Sequence, residues 1–112
     1  MALALPALLV FASGAAAEEW RFCVGVASAS HEAVITDIFP NSADSAHLEH
    51  RIEAWYRGKS GRALTFQCPR GWAERVDALN AQTAALQFNR QMGYAVSNLN
   101  AAEVTAIIGA QL

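Results

Sequence analysis

Two cysteines constrain the folding of this chain more than any other feature. Cys23 lies in an alternating apolar segment near the start, and Cys68 closes a short apolar segment far along the chain. A disulfide between them would hold their Cα atoms within about 7 Å, so the elements that carry them would have to be neighbours. Disulfides persist in oxidising compartments, which makes the N-terminal segment decisive. Leu3 to Phe11 is almost unbroken apolar sequence, followed by Ala12-Ser13-Gly14-Ala15-Ala16-Ala17 and an abrupt polar start at Glu18-Glu19. An apolar core ending in small residues is the pattern of a secretory signal peptide. No Lys or Arg precedes Ala17, so the usual basic n-region is missing. A spanning helix needs about 20 apolar residues, and Glu18, Glu19 and Arg21 close the segment sooner. The expected organisation is therefore a signal peptide over residues 1–17 and one small α+β domain over 18–112. That domain is expected to be periplasmic or secreted, with no transmembrane span in the mature chain. In such a compartment the even cysteine count reads as a Cys23–Cys68 disulfide. Chain entropy gives a bridge of this span about 4 kcal/mol of stabilisation. A reactive thiol has less support, because neither cysteine belongs to a C-x-x-C motif or has an activating base beside it.

The domain alternates between two periodicities. Trp20, Phe22, Val24 and Val26 point one way and Arg21, Cys23 and Gly25 the other, which predicts a strand over 20–27. Ser28 to Glu32 suits a turn, and the β-branched run Ala33 to Phe39 reads as a second strand, antiparallel to the first. Leu48, Ile52, Trp55 and Tyr56 form one stripe of a helix from about Ser42 or Ala43 to Arg57. Asn41 and Ser42 are its candidate caps, and Asp44 suits its positive end. Ala63 to Cys68 is a third strand. A long Ala-rich helix covers about Ala73 to Met92, with Gly93 as its stop. Tyr94 to Leu99 is a fourth strand, and Asn100 with Glu103 opens a short terminal helix in capping-box fashion.

The expected fold class is α+β: a β-β-α-β-α-β two-layer sandwich with a four-stranded mixed sheet, helices on one face and one disulfide. Right-handed crossovers make strands two, three and four parallel. The disulfide then places strand one between strands two and three. This arrangement leaves a conflict. If Cys68 and Cys23 both face the helices, the row Trp20, Phe22, Val24 and Val26 lies on the other face. Either that face is covered, or a bulge changes the phase near one cysteine. An uncovered apolar row would be a partner surface.

Chemistry-bearing motifs are sparse. The net charge of −2 argues against a nucleic-acid binder, and Arg57, Lys59 and Arg62 cluster only around a Gly-containing turn. His47 and His50, at i and i+3, are weak candidate metal ligands, since the spacing is not H-E-x-x-H and no third ligand is nearby. No G-x-S-x-G elbow or phosphate loop is present, and no cofactor is expected. A hydrolase would have to draw on Asp37, His47, His50 or Glu74. Trp20, Phe22 and Trp72 are the candidate partner-binding residues, because the disulfide brings the Trp72 loop towards strand one.

The leading expectation is an exported, disulfide-stabilised, non-catalytic binding module of the bacterial cell envelope, contacting a protein or cell-wall glycan. The alternatives are a small periplasmic hydrolase and an accessory subunit of an envelope complex that docks through Ile107 and Ile108. The layout loosely resembles small α+β cell-wall-binding modules such as the SPOR domain. That resemblance implies a sheet with helices on one face that binds glycan strands. The strand order differs, since two strands here precede the first helix.

Overall fold

The computed structural model describes residues 18–109. The expected signal segment 1–17 lies outside the described residues. Among the described residues, nine elements of regular sheet and helix follow in order: β1 (Glu19–Arg21), β2 (Val24–Ala27), β3 (Glu32–Thr36), β4 (Phe39–Asn41), α1 (Ser45–Ser60), β5 (Thr65–Gln67), α2 (Arg75–Gln91), β6 (Ala95–Leu99) and α3 (Ala101–Gly109). A single 3-10 turn at Ser28–Ser30 joins β2 to β3.

The main sheet has the order β5-β2-β3-β6. Strand β2 is antiparallel to both β3 and β5, while β3 and β6 are parallel. The fold is thus α+β with a four-stranded mixed sheet, and the cysteine-bearing segment sits between its hairpin partner β3 and the sequence-distant β5, as the disulfide requires. Sulfur atoms of Cys23 and Cys68 are 2.07 Å apart.

Each of the first two expected strands is broken in its course. The structure separates β1 from β2 at Phe22-Cys23 and β3 from β4 at Asp37-Ile38, and β1 pairs with β4 as a separate two-stranded sheet. The cause is local. The backbone N–H of Cys23 donates to the Thr36 hydroxyl at 3.0 Å, while the N–H of Thr36 donates to the Cys23 carbonyl. A side chain thus replaces one rung of the backbone ladder. Pro40 is tolerated in β4 because its partner Trp20 directs its own N–H and C=O to Trp72 on the other side, so no rung needs the missing proline N–H.

Helices α1 and α3 pack on one face of the main sheet. Leu48 and Ile52 of α1 and Val104 and Ile107 of α3 join Val34, Phe66, Leu99 and the disulfide in one core. Arg21, Cys23 and Gly25 point to this side. The long helix α2 is not part of that layer. It adds a layer on the opposite face, where Gln82 and Leu86 line a shallow hollow with Ile35 and Val96. The Gln82 amide donates to the Thr36 carbonyl at 2.6 Å. Alternation along the first strand therefore needs no change of phase, since its second face is covered in part. This also explains why Ala33, Val34, Ile35 and Thr36 are all buried. A strand between two helical layers has no wet side.

Caps fall where residue chemistry demands them. Asp44, not Asn41 or Ser42, caps α1 by accepting the N–H of His47 at 2.8 Å. Asn41 instead bonds the N–H of Ala43. The helix runs to Ser60, one turn past Arg57, and stops at Gly61 with φ 74°, a value that favours glycine. Asn100 and Glu103 form the reciprocal capping box of α3, at 2.9 and 3.0 Å.

The β5 edge is closed by side chains. Glu53 accepts the N–H of Phe66 at 2.8 Å and Glu49 accepts that of Cys68 at 2.9 Å. The match is geometric: four residues of helix advance about 6 Å, and two residues of strand advance nearly the same. Glu53 is thus engaged with the strand. Changing both Glu49 and Glu53 to Ala is expected to cost about 2–4 kcal/mol by leaving two donors unpaired and to promote self-association through the opened edge. Urea denaturation and sedimentation velocity check both effects. The Gln variants, which keep an acceptor, should lose markedly less stability.

Candidate functional site

The sheet's second face is where the candidate residues converge. Trp20 and Trp72 exchange both backbone hydrogen bonds, at 2.8 and 2.9 Å. Phe22 stacks on Trp72 with ring centroids 5.5 Å apart, and the Arg75 guanidinium lies 5.7 Å from the centre of the Trp20 ring. All three aromatics are therefore brought together, with Phe22 buried and the two indoles half-buried.

Two further groups lock the Trp72 loop. Gly71 packs so closely that a Cβ there would lie 2.4 Å from Glu19 Cβ and 2.6 Å from Arg21 Cδ. Arg21 is only 3% exposed. Its guanidinium donates to the carbonyls of Pro69 and Ala43 and to the Ser45 hydroxyl, at 3.2, 2.6 and 3.0 Å. A guanidinium has five donors in a rigid fork, and here that fork ties the loop before α1 to the loop after the disulfide. The sequence offered a signal for this residue: Arg21 shares its strand face with Cys23.

Beside the aromatic cluster runs an apolar groove of about 460 Å³. Phe22, Val24 and Val26 form its floor, Pro69 one end, and Ala85 and Phe88 of α2 its wall. Among the described residues no charged side chain lines it; Gln67 and Asn89 supply its polar groups. The groove exists because α2 turns Ala78, Ala81, Gln82, Ala85, Leu86 and Asn89 towards the sheet. That stripe is dominated by small residues, so the helix reaches the β3–β6 side while the β2–β5 side stays open. The outward positions carry large apolar groups: Val76, Phe88 and Met92 are 58%, 60% and 57% exposed. Phe88 and Met92 stand four residues apart and share one face of the helical turn. Their i, i+4 spacing looked like a packed row, and only the docking angle of α2 leaves them outside.

The other candidates are dispersed. Asp37 accepts the Asn98 amide at 3.0 Å and the Ala101 N–H at 2.9 Å, so its carboxylate anchors the start of α3. Glu74 precedes α2 as its N-cap residue, with no side-chain cap bond. His47 and His50 lie together on α1, at a hollow that none of the other hydrolase candidates lines. Among the described residues, no group of three or more His, Cys, Asp or Glu side chains could hold a metal ion. Ile107, expected as a docking residue, is buried in the domain's own core, and Ile108 packs against it. Of the basic turn residues, Arg62 pairs with Glu32 and Lys59 lies over Trp55. No helix among the described residues is long and apolar enough to cross a membrane.

The chain matches no family model, no curated protein and no solved structure.

Proposed function

We propose that this chain is an exported, disulfide-stabilised binding module of the cell envelope. In this reading it acts without catalysis, and its groove between β2 and α2 receives an apolar segment of a protein partner. The observation that carries the reading is the groove itself. Among the described residues it is lined without charge, with Val24 and Val26 only half-buried and Phe88 projecting at its rim. Exposed apolar surface of this kind marks interaction sites, and an aromatic rim beside an apolar floor that a partner would desolvate is the arrangement of a binding hot spot. A protein segment suits this groove better than a glycan. Sugar rings need many hydrogen-bond partners, and Gln67 and Asn89 are the polar side chains available there. The leader-like sequence of residues 1–17 supports export in this reading, and so does the disulfide, which persists in an oxidising compartment.

The test is site-specific photocrosslinking in the native envelope, with the probe placed at Phe88 or, as a control, at Ala106 on the far side. A single stoichiometric protein adduct from Phe88 alone is expected. Val24→Asp should abolish it with little change in melting temperature, since Val24 is only half-buried. Recovery of glycan fragments, or equal adducts from both positions, would overturn the protein-segment reading. Sequencing the mature N-terminus addresses export separately: the chain should begin at Glu18.

A further inference from the structure

The two edges of the main sheet are finished differently. At the β5 edge the N–H groups of Phe66 and Cys68 are taken by Glu53 and Glu49. At the other edge, among the described residues, β6 pairs only with β3, in parallel. The N–H of Ala95 donates to the His31 carbonyl, and the N–H of Asp37 donates to the Leu99 carbonyl. Ala95, Ser97 and Leu99 therefore turn their backbone groups towards β3, and Val96 and Asn98 turn theirs outwards. Among the described residues nothing bonds to those outward N–H and C=O groups. Edge strands commonly carry charge or proline that discourages further pairing. The sequence of β6, Ala-Val-Ser-Asn-Leu, has neither, and Ala95, Ser97 and Asn98 are exposed.

The charges beside this edge say which strand it fits. Asp37 and Arg90 both line the hollow of about 270 Å³ between α2 and β6. Helix α2 runs against the direction of β6: Gln82 meets Thr36, whose partner in β6 is Leu99, and the chain turns back at Gly93 just before Ala95. Arg90, in the last turn of α2, thus stands near the start of β6. Asp37 stands near its end, where it accepts the Asn98 amide. Arg90 is exposed and forms no ion pair among the described residues. The Asp37 carboxylate has acceptor sites left over from its two bonds, since an ionised carboxylate offers about four.

We infer that β6 is a self-association strand, through which two copies of this chain join their sheets edge to edge. Antiparallel strands set the start of one against the end of the other. With Ser97 opposite Ser97 of the second copy, Val96 lies opposite Asn98 of the second copy, and each such pair exchanges both backbone bonds. The register is the same seen from either copy, so it closes as a two-fold dimer. It also sets Arg90 of each copy across the seam from Asp37 of the other, on the α2 face. An unrelated strand could fill the backbone bonds, but that reciprocal charge match is what a second copy supplies. The contact is narrow, so the dimer dissociates on dilution. It uses neither Phe88 nor the groove, and it stands or falls apart from the partner-binding reading.

The experiment is sedimentation equilibrium of the full chain from micromolar to millimolar concentration. A reversible monomer–dimer equilibrium is expected. Ser97 faces itself across the two-fold axis, so Ser97→Lys and Ser97→Glu each set like charges directly opposite one another, which is unfavourable. Each variant should dimerise at least tenfold more weakly. Its melting temperature at dilution should equal that of the wild type, since Ser97 is exposed. Mixed in equal amounts, the two variants should form a one-to-one heterodimer at least tenfold tighter than either alone. A substitution that merely disturbed the fold would not be rescued by its opposite. Arg90→Glu should weaken dimerisation at least threefold, and it decides the matter if a Ser97 variant fails to fold. A wild-type chain that stays monomeric throughout would overturn the inference. So would open-ended assembly, dimerisation indifferent to Ser97→Lys, or a mixture of the two Ser97 variants that remains monomeric.

Discussion

Replacing both cysteines, Cys23→Ala with Cys68→Ala, should lower the free energy of unfolding by about 4 kcal/mol. The bridge joins residues 45 apart in sequence, so the reduced unfolded chain gains the entropy of a long open loop. In a domain of this size each kcal/mol moves the melting temperature by roughly 4–8 °C, so the expected drop exceeds 15 °C. The effect should originate mainly in the unfolded state. The denaturant slope m should therefore rise in the double variant as its unfolded chain expands. The β2–β5 ladder, which holds the same two segments by backbone bonds from Val24 to Val26, should persist in the folded state. Urea denaturation with and without reductant measures stability and m together. A double variant with wild-type stability would mean that the β2–β5 ladder and its packing alone hold the two segments.

Phe66→Ala should cost about 3–5 kcal/mol, the range for removing a buried aromatic side chain. Phe66 is buried in the centre of the core. One face of its ring lies on Gly25, where a Cβ would come within 2.5 Å of Cζ. Tyr56 meets it edge-on, with centroids 5.9 Å apart. Gly25 is thus a glycine because a ring occupies the space of its missing side chain. Gly25→Ala should itself destabilise by about 1–3 kcal/mol through overpacking. The decisive measurement is a double-mutant cycle. In the Phe66→Ala background the ring is gone, so Gly25→Ala should become nearly neutral. Additive losses would show that Gly25 is required for some other reason.

The elements were legible in the sequence to different depths. Strand alternation over 20–27 survives as written: Cys23 and Gly25 face one helical layer, and Phe22, Val24 and Val26 the other. The capping box at Asn100 and Glu103 and the stop at Gly93 depend on a few adjacent residues, and both form where expected. The break at Cys23 was hidden, because it depends on the Thr36 hydroxyl reaching across from another strand. Glu49 and Glu53 carry no local mark of a role in the sheet. Their partners, the amides of Phe66 and Cys68, belong to a strand that no local pattern could pair with them. Among the candidate site residues, Trp20, Phe22 and Trp72 were found through the disulfide. Phe88 was not, because its exposure depends on where α2 comes to rest.

From sequence alone follow the α+β class, the place of strand one between strands two and three, and the pairing of the two cysteines. These rest on periodicity, on the handedness of crossovers and on the short reach of a disulfide, all of which a linear chain carries. Only tertiary structure decided which helix covers which face. Both candidate helices have small or apolar stripes, and a stripe records that a face will be buried without naming what buries it. Placing α2 against Ile35 and Val96 leaves Val24 and Val26 half-covered beside Phe88. The groove is the part of the sheet that a helix of limited width does not reach.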